Sequence, residues 1–461
     1  MAKIKIIQFG EGNFLRAFFD YAVEVMNRRG LFDGAARVFN VRKTGSVEAL
    51  KAAGCSYRAV LRGVAGGKAV SETIPINSIA EAVNPYSQYE EFASSASDPD
   101  IRFVVSNTTE AGIYFDPSDS LGDKPPASFP AKLAQLLFRR YEAFSGDASK
   151  GWIVLPCELL ERNGDALLDC VKKCARHWNL PEGFFAWLGE ACVFCNTLVD
   201  RIVSGRPAPD DKFISDASLL ADPLTVVGEP YMFWAVESPR DFSAELPLDK
   251  CGLNIIFTPD IAPYRARKVV LLNAPHTLMA AIGLLSGVGT VREAVQSPRI
   301  SAYLQKLVFG ELIETLDLPR AELETFARDV LERFANPYLE HKLSSIASNA
   351  GAKCGVRVAP PCAEYLARKG ALPRAAVFGL AANAAMIFKN RALLPNSPEA
   401  AALEKISDLR EFAKALASAK FFAGTLAGNA DFAEAIARQA EAIEAQGAAK
   451  AMEEILDEKT A

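Results

Sequence analysis

Lys3-Ile4-Lys5-Ile6-Ile7-Gln8-Phe9, a run rich in isoleucine, passes directly into Gly10-Glu11-Gly12-Asn13-Phe14-Leu15-Arg16. The run has the length and content of a short buried strand. Residues 17–29 then repeat apolar side chains at helical spacing. Strand, glycine turn and helix form the setting in which a dinucleotide fingerprint works. Gly10 permits the tight turn, and Gly12 lets the backbone approach a pyrophosphate. Asn13 and Phe14 follow on the same turn. Leu15 stands where the usual third glycine would be, so an ordinary strand-turn-helix fits the same residues and support must come from further along the chain.

A second strand is expected over 37–41, followed by Arg42 and Lys43. A unit that prefers NAD often carries an acid there, for the ribose 2′-hydroxyl, whereas basic residues ordinarily favour the 2′-phosphate of NADP. Solvated surface charge fits equally, and at this point the cofactor stays open. Strands are expected over 57–61 and 69–76, with a hairpin turn at 63–67. A buried strand over 101–105 runs into the polar loop Ser106-Asn107-Thr108-Thr109. Open α/β sheets bind ligands at the carboxyl ends of their strands, so Asn107 and Thr108 are candidates for the cofactor; a helix cap is the alternative.

Residues 117–130, rich in Pro, Gly, Ser and Asp, read as loop. Helices are expected over 131–144 and 167–178, with a buried strand over 152–156. Asn196 lies in an apolar run, where its amide either reaches a substrate or serves the fold. Late strands are expected over 224–231 and 253–258, and Pro259 and Pro263 mark a boundary. Beyond it the spacing is helical over 304–315, 320–334, 363–369 and 373–388, and Ser397-Pro398 reads as a helix start. The fold class is therefore α/β: an N-terminal Rossmann-like domain (1–259) followed by a mainly α-helical C-terminal domain (260–461).

Composition excludes several classes. Half of the 461 residues are hydrophobic, 23% are charged and the net charge is -5, which does not favour nucleic acid as a partner. The most apolar segment, 269–285, is interrupted by Asn273, His276 and Thr277, so no membrane span is expected. The first residues lack the apolar core of a secretory signal. Nine scattered cysteines fit reduced thiols, hence a cytoplasmic protein, better than a disulfide framework or a zinc site.

The C-terminal half holds one stretch with chemical potential, Arg267-Lys268-Val269-Val270-Leu271-Leu272-Asn273-Ala274-Pro275-His276-Thr277. At about 100° per residue, Asn273 lies about 140° and His276 about 80° round from Lys268, so an ammonium, an amide and an imidazole can lean to one side. An amphipathic helix with a snorkelling lysine and a core histidine fits the same spacing. Pro275 implies either a helix that starts here with Asn273 as cap, or a kink.

With these pieces placed, the sequence resembles the polyol-specific long-chain dehydrogenases, the family that includes mannitol dehydrogenase. The likeness is carried by residues 6–17, 102–112 and 150–158 (the last including Trp152-Ile153-Val154-Leu155-Pro156-Cys157-Glu158). It is extended by 197–203 and by Arg333-Phe334-Ala335-Asn336-Pro337-Tyr338 with His341. It runs from residue 4 to about residue 390. It implies a metal-independent, NAD-dependent oxidoreductase acting on a small-molecule substrate. Within the family the chain looks most like the branch that interconverts D-tagaturonate and D-altronate in hexuronate catabolism. D-Fructuronate is the neighbouring substrate, and a non-catalytic nucleotide-binding regulator is the alternative from another class. The family mechanism falls on Lys268 as general acid/base, on Asn273 and Asn196 as donors to the reacting oxygen, and on His276 as a positioning partner. Gly10, Gly12, Asn13 and Phe14 fall on the dinucleotide site. Arg16, His341 and Lys353 are the candidate cations for a substrate carboxylate. Two departures stand out: Ala274-Pro275 where the family usually has a glycine, and the basic pair Arg42-Lys43.

Overall fold

The computed structural model describes residues 3–457 and divides into two compact units, Met1–Arg62 with Val70–Ile261, and Gly63–Ala69 with Ala262–Ala461. The division thus falls two residues beyond the expected boundary, and a hairpin tip belongs to the second unit.

The first unit is built on a six-stranded parallel sheet. In chain order the strands are β1 (Lys3–Phe9), β2 (Gly34–Phe39), β3 (Tyr57–Ala65), β4 (Lys68–Ile76), β5 (Ile79–Val83), β6 (Phe103–Ser106), β7 (Ile153–Pro156) and β8 (Val193–Phe194). They are followed by β9 (Asn196–Asp200), β10 (Val203–Gly205), β11 (Val226–Gly228), β12 (Phe233–Glu237) and β13 (Ile255–Thr258). The main sheet runs β5-β2-β1-β6-β7-β8, so the winding starts at β1, proceeds to one edge, then returns to β1 and continues to the other. This is the doubly wound order of a Rossmann fold, with its switch point between β1 and β6. Because alternate residues face opposite sides of a strand, Ile6, Phe103, Val105, Ile153 and Leu155 enter one apolar cluster, while Ile7, Val104 and Val154 enter the other. Burial on both faces explains why β6 and β7 are wholly apolar apart from Ser106, while β1 keeps Lys3 and Lys5 at its less buried start. Two smaller sheets, β10-β11-β3-β4 and β13-β12-β9, complete the unit.

Three expectations are corrected here. The helix after the glycine turn is broken at Phe18 (φ -122°, ψ -76°) into Asn13–Ala17 and Phe19–Arg28. Consecutive helical side chains diverge by ~100°. The break lets the rings of both Phe18 and Phe19 meet Trp234 edge-on, at 5.5 and 5.9 Å. The expected strand over 224–231 is only β11, and the pairing partner of β9 is β12. Ser128 caps a helix that starts at Phe129, inside the expected loop, by accepting from the Ala131 N–H at 3.3 Å.

Among the described residues of the second unit, those from Ala262 onward are helical or loop, apart from an isolated bridge between Thr290 and Lys342, and the hairpin tip adds the ends of β3 and β4. Helix Ala274–Leu285 packs on Arg374–Lys389, and the latter packs on Ala430–Gln446. The helical run Ala262–Leu285 is long and apolar enough to cross a membrane by composition, and 61% of that window is buried inside the protein. Ser397 accepts from the Ala400 N–H at 3.2 Å with Pro398 at the first turn, as the sequence implies.

Candidate active site

In the N-terminal unit the turn after β1 meets the loop after β6 at the switch point. Gly10 has φ +114°, and a Cβ there would lie 2.9 Å from the Asn107 carbonyl oxygen. Both constraints require glycine. The loop is fixed in turn: Asn107 N–H donates to Phe9 O at 3.1 Å, and its side-chain amide donates to Cys157 O at 2.6 Å. Thr108 gives both its N–H and its hydroxyl to Glu158 Oε1 at 2.9 Å, while Ser106 gives its hydroxyl to Glu158 Oε2 at 3.0 Å. Burial pushes the Glu158 carboxyl upward, and these donors oppose that shift. Sequence reading did not single out Glu158, whose partner Thr108 lies 50 residues away. The backbone at Gly12 is uncovered, with no atom within 4 Å of a hypothetical Cβ. Phe14 stacks on Phe18 with centroids 4.8 Å apart. Arg42 and Lys43 are exposed beyond β2, and Arg42 acts electrostatically on the Glu11 carboxyl, which burial holds above its ordinary range.

Arg16, a candidate for the substrate carboxylate, is turned into the fold and only 4% exposed. Its guanidinium donates to Leu224 O and, at 2.7 Å, to Asn13 Oδ1, and lies over the Tyr57 ring. It clamps the start of the helix onto the neighbouring sheet, so its donors serve the fold. Beneath it, Asp20 is fully buried and its pKa is pushed up to about 7 by burial, against hydrogen bonds from Gln8 and Tyr57. Gln8 also donates to Gly10 O at 3.0 Å, which ties this buried carboxyl to the glycine turn.

Asn196 is buried at the start of β9. Its Oδ1 accepts from the N–H groups of Gly164 and Asp165 at 3.1 and 3.2 Å, capping helix Asn163–His177. Its amide donates to Glu237 Oε1 at 3.1 Å. Gly164 is required at this cap, since a Cβ would lie 2.2 Å from Cys195 O. Only one amide hydrogen of Asn196 is therefore left for a further acceptor among the described residues.

In the helical unit the stretch 267–277 does not form a new helix capped by Asn273. Helix Ala262–Lys268 passes through a π-helical turn, Val269–Asn273, into Ala274–Leu285. Asn273 is helical (φ -75°, ψ -36°) and makes no cap bond. The wider turn accommodates Pro275, which brings no N–H and would crowd the carbonyl of residue 271 in a regular α-helix. It also changes the angular spacing inferred from 100° per residue. Lys268 is half-buried at the end of the first segment. The Asn273 carboxamide has no hydrogen-bond partner among the described residues, while its backbone oxygen accepts from the Thr277 hydroxyl at 2.8 Å.

The His276 ring stacks on Phe334 (centroids 4.9 Å, 26°) and meets His341 edge-on at 4.8 Å. Its Nε2 is buried without a protein partner. Burial, then His341, Arg357, Lys353 and Arg333, drive its pKa down to about 3, so the imidazole is neutral at physiological pH. His341 is positioned by backbone: Val291 N–H donates to His341 O and Leu343 N–H to Gly289 O, both at 2.9 Å. Lys353 donates to Ile346 O at 2.7 Å and to Ser348 Oγ at 3.4 Å, and burial lowers its pKa. The sequence reading names neither Phe334, which lies within the Arg333–Tyr338 motif, nor Arg357 as a site residue; nothing in local spacing marks residues that reach the surroundings of His276 from other helices. Among the described residues no group of three or more His, Cys, Asp or Glu is arranged to hold a metal. All nine cysteines are buried free thiols.

Residues 4–250 match the mannitol dehydrogenase Rossmann domain and residues 260–444 the mannitol dehydrogenase C-terminal domain. An altronate oxidoreductase from Phocaeicola vulgatus is 47% identical over 378 residues, 82% of this chain and 79% of that protein. One from Bacillus subtilis is 42% identical over 379 residues, 82% of this chain and 78% of that protein. Among solved structures, Pseudomonas fluorescens mannitol 2-dehydrogenase in ternary complex with NAD and D-mannitol aligns with a TM-score of 0.69 at 21% identity, covering 99% of this chain and 95% of that one. A substrate-free D-sorbitol dehydrogenase aligns with a TM-score of 0.83 at 22% identity, covering 98% and 95%. These two share the fold. With both domains matched along most of its length and relatives above 40% identity, the chain belongs to the mannitol dehydrogenase family.

Proposed function

We propose that the protein is an NAD-dependent oxidoreductase that reduces the ketone of D-tagaturonate to D-altronate, reversibly, as a step of hexuronate catabolism. The observation that carries this reading is the 41–47% identity to altronate oxidoreductases over 82% of the chain. The residues present fit a dinucleotide: Gly10 gives a turn no side chain can fill, Gly12 leaves backbone uncovered, and Asn107 and Thr108 are braced at the switch point. A bound NADH supplies the hydride. Ketone, hydride and proton together give the secondary alcohol, and the protein's task is to handle the charge that grows on oxygen.

Lys268 is the proton donor for that oxygen. The uncommitted carboxamide of Asn273 supplies a fixed N–H donor to the same atom. His276, neutral and held between Phe334 and His341, positions the substrate by hydrogen bonding and carries no charge of its own at physiological pH. The buried free thiols support a reducing, cytoplasmic setting.

The test is a screen of purified protein with NADH and NADPH against D-tagaturonate, D-fructuronate and D-fructose, repeated with Lys268→Ala. The expected result is fastest oxidation of NADH with tagaturonate, and loss of at least ~100-fold in turnover for the variant with NADH affinity near wild type. Equal rates with tagaturonate and fructuronate overturn the substrate assignment. Nucleotide binding without turnover on any keto acid points to a regulator.

A further inference from the structure

We propose that Arg357 is the receptor for the substrate's carboxylate, and so the residue that selects a sugar acid over a neutral ketose. This rests on the keto-hexuronate reading above and names its specificity determinant. Arg357 ends helix Ala350–Arg357, where a cation is favoured by the helix dipole, and it is half-buried. Its Nη1 donates to Thr277 Oγ1 at 3.3 Å, and the Thr277 hydroxyl donates to Asn273 O at 2.8 Å. The guanidinium is thereby moored on the turn that carries Asn273 and His276. Burial lowers the Arg357 pKa, and no carboxylate pairs with this group among the described residues. Its remaining N–H groups keep the planar fork geometry that binds a carboxylate through two parallel hydrogen bonds.

Lys353 lies one turn earlier on the same helix, but its ammonium is already given to Ile346 O and Ser348 Oγ. It adds positive potential, while Arg357 has the free donors. His276 stands in the field of both, with its Nε2 buried and unpartnered. A partly desolvated pair of cations without a counter-charge among the described residues is unfavourable in the free protein, and an anionic substrate relieves it.

The experiment compares kcat/KM for D-tagaturonate with that for D-tagatose, which carries CH2OH in place of the carboxylate. Wild type, Arg357→Ala, Arg357→Gln, Arg357→Lys and Lys353→Ala are assayed, and each is checked by thermal unfolding. The glutamine variant keeps a donor for Thr277 while removing the charge. The expected result is a ten- to hundredfold fall in the acid-to-neutral ratio for Arg357→Ala and Arg357→Gln, arising mainly in KM for the acid, with partial retention in Arg357→Lys. A purely structural role would lower both activities together and leave the ratio unchanged, which overturns the proposal. A ratio that falls only in Lys353→Ala overturns it as well, placing the carboxylate on the lysine. Failure of the keto-hexuronate reading is separate and visible in wild type alone, as no preference for tagaturonate over tagatose.

Discussion

Replacing Gly10 by alanine tests the dinucleotide turn on two separable terms. The first is backbone strain: φ +114° lies where L-residues are disfavoured, at roughly 1–3 kcal/mol. The second is steric. The new methyl would sit 2.9 Å from Asn107 O, and ordinary contact begins at 3.4 Å, so the carbonyl must move by about 3.4 − 2.9 = 0.5 Å. It cannot do so freely, because Asn107 is held to Phe9 O and Cys157 O, and the next residue to Glu158. Overpacking of this kind adds roughly 1–3 kcal/mol. The reduced entropy of the unfolded chain returns about 0.4–1 kcal/mol. The net loss is about 1–5.5 kcal/mol, or a Tm lowered by roughly 2–20 °C for a unit of this size. On the proposed placement of the cofactor the same displacement distorts its loop, so NADH affinity, read by fluorescence titration at a temperature where the variant is folded, is expected to fall at least about tenfold. A variant with wild-type Tm and wild-type NADH affinity would refute both the steric account and the placement of the cofactor here.

Three further predictions concern the other half of the chemistry and the fold beneath it. His276 has a folded pKa of about 3 against 6.5 for an unperturbed imidazole. The folded state therefore prefers the neutral ring, and its contribution is complete above pH 6.5 and lost as pH falls toward 3, by up to on the order of 5 kcal/mol. Imidazole NMR should show His276 neutral at pH 5; an ordinary titration near 6.5 contradicts the site described. Asp20, raised to about 7, acts with opposite sign, its contribution being lost as pH rises from about 4 through 7, so Asp20→Asn should flatten the stability profile on the neutral side. Asn196→Ala removes the side-chain cap of helix Asn163–His177 and should destabilise by about 1–2 kcal/mol in urea unfolding. If alanine is as stable as wild type, the cap is not what holds Asn196 in place.

Features that depend on local period and on punctuation can be read directly from the residues. The apolar residues of 4–9, 101–105 and 152–156 mark strands of a buried sheet, although Lys5, Gln8 and Arg102 interrupt the first two, and Gly10 announces a turn that side chains cannot adopt. The change from alternating elements to helices near residue 260 separates the two units. These signals are written within a few residues of where they act. Other features arise only when segments remote in the chain meet. Glu158 braces Thr108 across 50 positions, and Arg357 reaches Thr277 across 80. Arg16 and Asn196, polar candidates by type, prove to hold backbone groups of distant segments. Pro275 is the sharpest case. The stretch 267–277 was legible as carrying a lysine, an amide and an imidazole, but two local outcomes, cap or kink, were all that residue chemistry offered. The helical run continues through the proline as one wide turn, and that turn, with Phe334 and Arg357 brought in from other helices and His341 from the loop before Leu343, sets where Asn273 and His276 stand.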